Sequence, residues 1–240
     1  ISFTEALQHF QSTELFKSRG KVRAPGRQGI LAALFCCFCG PPQLQPQLWG
    51  EQELVLAMAQ CALDDSERVH MRILQTIYQQ LTCSRLGCPR YGAHWEELGF
   101  QGRRGSNPLS VEIPRPIPKI SSNLQSPTQW RERRVFHLSF RNAGILVLFQ
   151  NFPFCIMSVN ITRIVIQALQ EERLSRECNR QQQVIGVLND LYAAAFLQLS
   201  RLWKRQQGTI TDAAFFLKEL ELSTKKKPRQ LLKSLEAYLS

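Results

Sequence analysis

Apolar residues recur at helical spacing along most of this 240-residue chain, and no stretch alternates convincingly as a half-buried strand would. The pattern is strongest after Pro153. There Ile161, Ile164, Val165, Ala168 and Leu169 fall at i, i+3, i+4, i+7 and i+8, with Ser158 or Asn160 available as a cap. Val184, Leu188, Leu191, Ala195, Leu199 and Leu202 draw a longer stripe toward Trp203, and Gly208 ends it. Asp212 is placed to cap a helix through Leu222 that uses Phe216, Leu217 and Leu220. Pro228 suits the first turn of another, with Leu231, Leu232, Leu235 and Leu239 behind it. Upstream, Glu53 to Leu63 reads as a short apolar-rich helix. Asp64, three residues before Glu67, gives a capping-box signature for a helix whose Val69, Ile73, Ile77 and Leu81 repeat every four positions, with Leu74 and Tyr78 beside them. The fold class is all-α.

Two stretches break this pattern. Residues 1–48 read as a basic, flexible N-terminal leader, ahead of a helical domain over 49–240. Within the leader, Lys17, Arg19, Lys21, Arg23 and Arg27 precede an apolar run from Ile30 to Cys39. The order resembles a signal peptide, but it lies too far from the N-terminus and lacks a clear cleavage site. The run is also only about half of the ~20 residues a spanning helix needs. Two readings stay open: a peripheral membrane patch with Cys36, Cys37 and Cys39 available for acylation, or an unstructured leader ending in a buried turn at Gly40-Pro41-Pro42. The chain opens with Ile1 rather than Met, as a fragment or a partial gene model would.

The second break spans 103–150. It holds five of the chain's twelve prolines (Pro108, Pro114, Pro116, Pro118 and Pro127). Its eight basic residues outnumber Glu112 and Glu132 by six, more than half of the chain's excess of +11. With no useful helical period before about Arg131, the segment reads as a disordered or poorly packed proline-rich basic insert that interrupts the helical domain.

The residues that carry chemistry are sparse. Eight Cys in 240 residues are too few for a disulfide scaffold and read as mostly reduced thiols of an intracellular protein. Cys36 and Cys39 have the C-x2-C spacing of a zinc pair, but Cys83, Cys88 and His94 are too loosely spaced to complete it, so no metal site is expected. His9, His70, His94 and His137 are scattered and form no visible dyad with a thiol. Neither phosphate-binding glycine loop is present, and no cofactor is expected. The basic surplus suits an anionic partner, yet the interleaved aromatics of a stacking platform are missing, and nucleic acid is not the expected partner. Residues 113–119 (Ile-Pro-Arg-Pro-Ile-Pro-Lys) are polyproline-like but lack Pro-x-x-Pro spacing.

The sharpest local signal runs from His94 to Gly102 (HWEELGFQG). Its bland reading is a helical turn stopped by Gly99 in the left-handed region, with Phe100 folding back on the apolar face. As a string, however, Trp95, Gly99, Phe100, Gln101 and Gly102 (Trp-x3-Gly-Phe-Gln-Gly) resemble the opening of the signature of the ELMO domain family. Glu67 to Leu81 resembles the helix upstream of that signature, and Phe152 to Gln183 resembles the family's second half. The C-terminal segments FFLKELE and KKKPRQLLKSLEAYL fit as well. The resemblance covers roughly 49–102 and 150–240.

The resemblance implies an all-helical domain acting as a GTPase-activating protein for small GTPases of the Arf-like class. Such a protein is not itself the hydrolase. It donates an arginine that stabilises charge on the transferring phosphoryl group, worth ~10³–10⁵ in rate, or roughly 4–7 kcal/mol of barrier. The family's signature continues with Pro, then Asp-x-Arg-Gly, then a leucine-rich helix. Here no Asp occurs between Asp65 and Asp190, so that arginine is unmatched. Arg104, before Gly105, is the nearest substitute, but it comes some six residues early. The proline-rich segment stands where the leucine-rich helix should be. Such a clean break reads as an alternative exon, a retained intron or a frame error rather than gradual divergence. Ala143 to Phe149 could fill part of the missing packing. The expectation is therefore weak or absent activation in this form. A non-catalytic scaffold binding a small GTPase or the actin cytoskeleton is the alternative, and a charge-driven membrane or nucleic-acid binder the second. By the same resemblance the protein is expected in the cytoplasm, in actin-rich cell projections; peripheral membrane contact through the N-terminal basic stretch is an expectation from the residues of that stretch.

Overall fold

The computed structural model describes residues 1–12, 42–61, 64, 66–82, 84, 86–89, 92–95 and 154–240. Every regular element among them is helical, in agreement with the all-α reading. The helices are α1 (Phe3–Ser12), α2 (Trp49–Gln60), α3 (Arg68–Thr82), α4 (Phe154–Gln170), α5 (Ser175–Gln181), α6 (Ile185–Arg205), α7 (Ala213–Lys226) and α8 (Pro228–Leu239). Single 3-10 turns cover Pro46–Leu48, Ala93–Trp95 and Ile210–Asp212.

Helix α6 is the axis of the fold, with α2, α4, α5, α7 and α8 packed around it. The sequence pattern shows one stripe on this helix, but every residue from Leu191 to Leu197 is buried. The run Ala193-Ala194-Ala195 explains the difference. Small side chains let neighbouring helices approach sides of α6 that the periodicity of large residues does not mark, and a helix enclosed on all sides must be apolar on all sides. The flanking helices keep one-sided burial, as their spacing requires. Met157, Ile161, Ile164, Val165, Ala168 and Leu169 of α4 are buried, as are Phe216 and Leu220 of α7 and Leu231, Leu232 and Leu235 of α8.

A second, smaller core unites α1, α2 and α3 through Ala6, Phe10, Leu54, Met58, Ile73 and Ile77. This corrects the reading of 1–48 as a flexible leader at both of its ends. Phe3, Ala6 and Phe10 are buried on one face of α1, and Glu5 of α1 pairs with Arg72 of α3. At the other end Leu44 and Leu48 enter the main core. The amide of Asn179 clamps the intervening backbone, accepting from Gln45 N–H at 2.9 Å and donating to Gln43 O at 2.8 Å. The basic residues from Lys17 to Arg27 and the cysteines at 36, 37 and 39 lie outside the described residues, as does the whole insert 103–150.

Several helix ends differ from the sequence reading for local reasons. Asp64 and Glu67 do not form a capping box. The Asp64 carboxylate instead accepts from Ser66 N–H and Oγ in an Asx turn, while Asp64 N–H donates to His70 Nδ1 at 2.9 Å, and the helix begins at Arg68. Ser158 and Asn160 sit inside α4, which starts at Phe154. Asp212 does work as a cap partner, but within the box it forms with Thr209 around the turn Ile210–Asp212. At the end of α6 the left-handed residue is Gln207 (φ 50°), one position before the expected glycine. Gly208 answers a different need: a Cβ there would lie 2.5 Å from the Phe216 ring and 3.2 Å from the Trp203 ring.

Candidate functional site

Of the candidate residues, Trp95 is described together with the three residues before it, and with Tyr78 they form an aromatic corner behind α3. The segment after α3 must return to the bundle, and Trp95 holds it there. Its side chain is fully buried in the main core, and its indole N–H donates to Pro89 O at 3.1 Å. Burying an indole strands its one donor unless a carbonyl meets it, so this bond lets the large ring sit in the core. Tyr78, on the last turns of α3, sets its ring edge-on to both Trp95 (centroids 5.5 Å apart) and His94 (5.4 Å). The His94 ring reaches the same carbonyl, with Nε2 3.1 Å from Pro89 O. Gly92, at φ 148°, provides the turn into this corner, where a Cβ would lie 2.7 Å from the His94 ring.

The corner therefore anchors the start of the HWEELGFQG string. The rest of the string, Gly99, Phe100, Gln101 and Gly102, lies outside the described residues together with Arg104. Cys88 is near in sequence but buried, and burial pushes its thiol up, away from the thiolate a nucleophile needs. His94 is tied to a backbone carbonyl and a tyrosine edge. These residues are arranged to fix a loop.

The structure brings together other groups that the sequence leaves apart. His9 and His70 meet at the junction of α1 and α3, with ring centroids 5.8 Å apart, and Phe10 stacks on His70. Among the described residues no three His, Cys, Asp or Glu side chains converge as a metal site would need, while Cys36, Cys37, Cys39 and Cys83 lie outside them. No helix among the described residues is long and apolar enough to cross a membrane.

A buried polar cluster surrounds the N-terminus of α6. No side chain of its own segment caps this 21-residue helix. Glu51 of α2 does so from across the fold, accepting from Val184 N–H at 2.8 Å and Ile185 N–H at 2.9 Å. Nearby, the buried carboxylate of Glu177 pairs with Arg180 at 2.6 Å and approaches Arg229 of α8 at 3.9 Å. Cys178 lies buried beside these two acids. Burial first, then the charges of Glu51 and Glu177, push its thiol from 9.0 up to about 12. This cluster is closed by its own partners and locks α2, α5, α6 and α8 together. Sequence offers no sign of the Glu51 contact, since its partners are 133 and 134 residues away.

A sequence model described as the ELMO/CED-12 family matches residues 53–109 and 119–217. The chain belongs to this family. The matched intervals take in Trp95 through Gly102, the helices α3 to α6 and part of α7, and leave 110–118 of the proline-rich segment between them. Over its whole length the chain is 48% identical to ELMO domain-containing protein 3 of Bos taurus and of Homo sapiens, and 47% identical to that of Mus musculus. It spans 62% of the length of each of these relatives. No solved structure matches the chain.

Proposed function

We propose that this ELMO-family domain binds a small GTPase of the Arf-like class as a GTPase-activating protein whose activation is weak or absent in this form. Family membership supports the GTPase-directed part. The observation that carries the reading is Trp95: the first residue of the family string is built into the core with its indole hydrogen bond satisfied, so the chain retains the anchor from which the string runs. The weak-activation part rests on sequence. After Gly102 no Asp-x-Arg-Gly follows, and Arg104 stands too early and without an Asp before it. That same departure favours the second reading, a scaffold that engages a small GTPase or the actin cytoskeleton without accelerating hydrolysis. Cytoplasmic placement in actin-rich cell projections belongs to the proposal on either reading.

Titration of an immobilised Arf-like GTPase, loaded in turn with GDP and with a non-hydrolysable GTP analogue, tests the binding half. Saturable binding that falls when Trp95→Ala releases the anchor is the expected result. No binding in either nucleotide state by a chain with full helical content would overturn it.

A further inference from the structure

The outer face of α7 is unlike the rest of the described surface. The large hydrophobic residues most open to solvent include Ile210 (64%), Phe215 (61%) and Leu222 (47%), all within this one turn and helix. Phe215 and Leu222 are seven residues apart, two turns of the same helix face, and Ile210 sits on the 3-10 turn that leads into it. The opposite face of α7 is spoken for, with Phe216, Leu220 and Thr224 buried. The apolar outer residues are therefore presented on a helix already fixed by its inner face.

The charges around them are mostly basic. Lys218 lies between Phe215 and Leu222 on the exposed side, and Lys226 follows Leu222 by one turn; both are exposed and make no ion pair among the described residues. Lys204 and Arg205, also exposed, close α6 just before the turn that carries Ile210. The nearby acids are already engaged or lie at the margin. Asp212 caps the turn with Thr209, Glu221 pairs with Lys225 and Arg163, and Glu219 is half-buried at the edge of the face. Across 201–233 nine basic residues stand against three acidic ones, a surplus of six in a short stretch of a chain whose total is +11.

From this placement we infer that the outer face of α7, with Ile210, Phe215 and Leu222 as its apolar contacts and Lys218 and Lys226 as its charged flank, docks on the surface of an anionic lipid bilayer. The outer face of one helix fits a helix lying flat at the headgroup boundary, where apolar side chains enter and lysine stems extend to the phosphates. The lysines supply attraction only to a negatively charged leaflet, so apolar insertion and charge act together. The inference is independent of the GTPase reading and rests on other residues than the basic stretch at Lys17–Arg27.

Sedimentation of the full chain with phosphatidylcholine vesicles, with and without phosphatidylserine, tests it. Binding is expected on the anionic vesicles alone and is lost at high salt. Phe215→Ser combined with Leu222→Ser lowers the partition coefficient at least about tenfold, and Lys218→Glu with Lys226→Glu lowers it by a similar factor. Both pairs are exposed, so circular dichroism should show unchanged helical content. Equal binding to neutral vesicles would overturn the electrostatic part. Absence of vesicle binding by a folded chain would overturn the whole and leave an acidic protein face as the occupant. Binding that survives both α7 variants but disappears when Lys17, Arg19, Lys21, Arg23 and Arg27 are neutralised would overturn it in favour of the N-terminal stretch.

Discussion

Replacing Glu51 tests how this fold starts its central helix. The Glu51 carboxylate receives two backbone N–H groups at 2.8 and 2.9 Å, those of Val184 and Ile185 at the start of α6. Val184 is fully buried, so water cannot readily take over the vacated acceptor. Loss of an ordinary N-cap costs about 1 kcal/mol. The negative charge at a partly enclosed helix N-terminus adds about 0.3–1 kcal/mol, and an unpaired buried donor adds about 1–3 kcal/mol. Because these contributions overlap, Glu51→Ala is expected to cost ~2–3 kcal/mol. Glu51→Gln keeps one acceptor oxygen, loses the charge and should cost ~1 kcal/mol. For a chain of this size 1 kcal/mol moves Tm by about 2–4 °C, so the alanine variant should melt roughly 5–10 °C early. Thermal and urea unfolding, followed by circular dichroism, measure both variants. An alanine variant within about 0.5 kcal/mol of the parent would refute the cross-fold cap; a glutamine variant as stable as the parent would refute the part assigned to charge, and equal costs for the two variants would refute the part assigned to the retained acceptor oxygen.

Three further predictions concern local features. Gly208→Ala puts a methyl group against the Phe216 and Trp203 rings and should lower stability by ~1–3 kcal/mol in urea unfolding; a neutral result would mean that the rings yield freely. Glu172→Gly relieves a left-handed residue (φ 57°) at the end of α4, where Arg173 N–H bonds back to Ala168 O, and should stabilise the fold by ~0.5–1 kcal/mol. Cys178 should resist maleimide labelling at mildly alkaline pH until the chain is unfolded, read by mass spectrometry. Because its folded pKa is raised, the neutral thiol favours the native state. That contribution is complete below 9.0 and is lost as pH rises toward about 12, so Cys178→Ala should flatten the alkaline decline in stability.

Local spacing made α4, α7 and α8 legible, because each buries one face and its apolar residues mark that face directly. Helix α6 was legible as a helix but not as the axis, since alanines such as Ala193 and Ala194 carry little hydrophobic signal and gain their place from neighbours. Helix α1 was obscured by the basic run that follows it; its own Phe3, Ala6 and Phe10 have the right spacing, but their partners Met58 and Ile77 are far along the chain. Asp64 misled because the residue that caps helices also builds Asx turns, and the choice was made by His70, which receives the Asp64 N–H. In the candidate site, Trp95 was recognised from a string of residue types. Its hydrogen bond to Pro89 and its contact with Tyr78 depend on a loop geometry that no period encodes.

On the proposed function, this chain keeps a helical scaffold of the family while lacking a matched catalytic arginine. Single-turnover GTP hydrolysis by a purified Arf-like GTPase, titrated with the folded chain, tests it most directly. An intact donated arginine gives ~10³–10⁵ in rate; here the expected acceleration is below about tenfold, and Arg104→Ala should leave it unchanged. Acceleration of a hundredfold or more, abolished by Arg104→Ala, would contradict the account and assign Arg104 the role of the missing arginine.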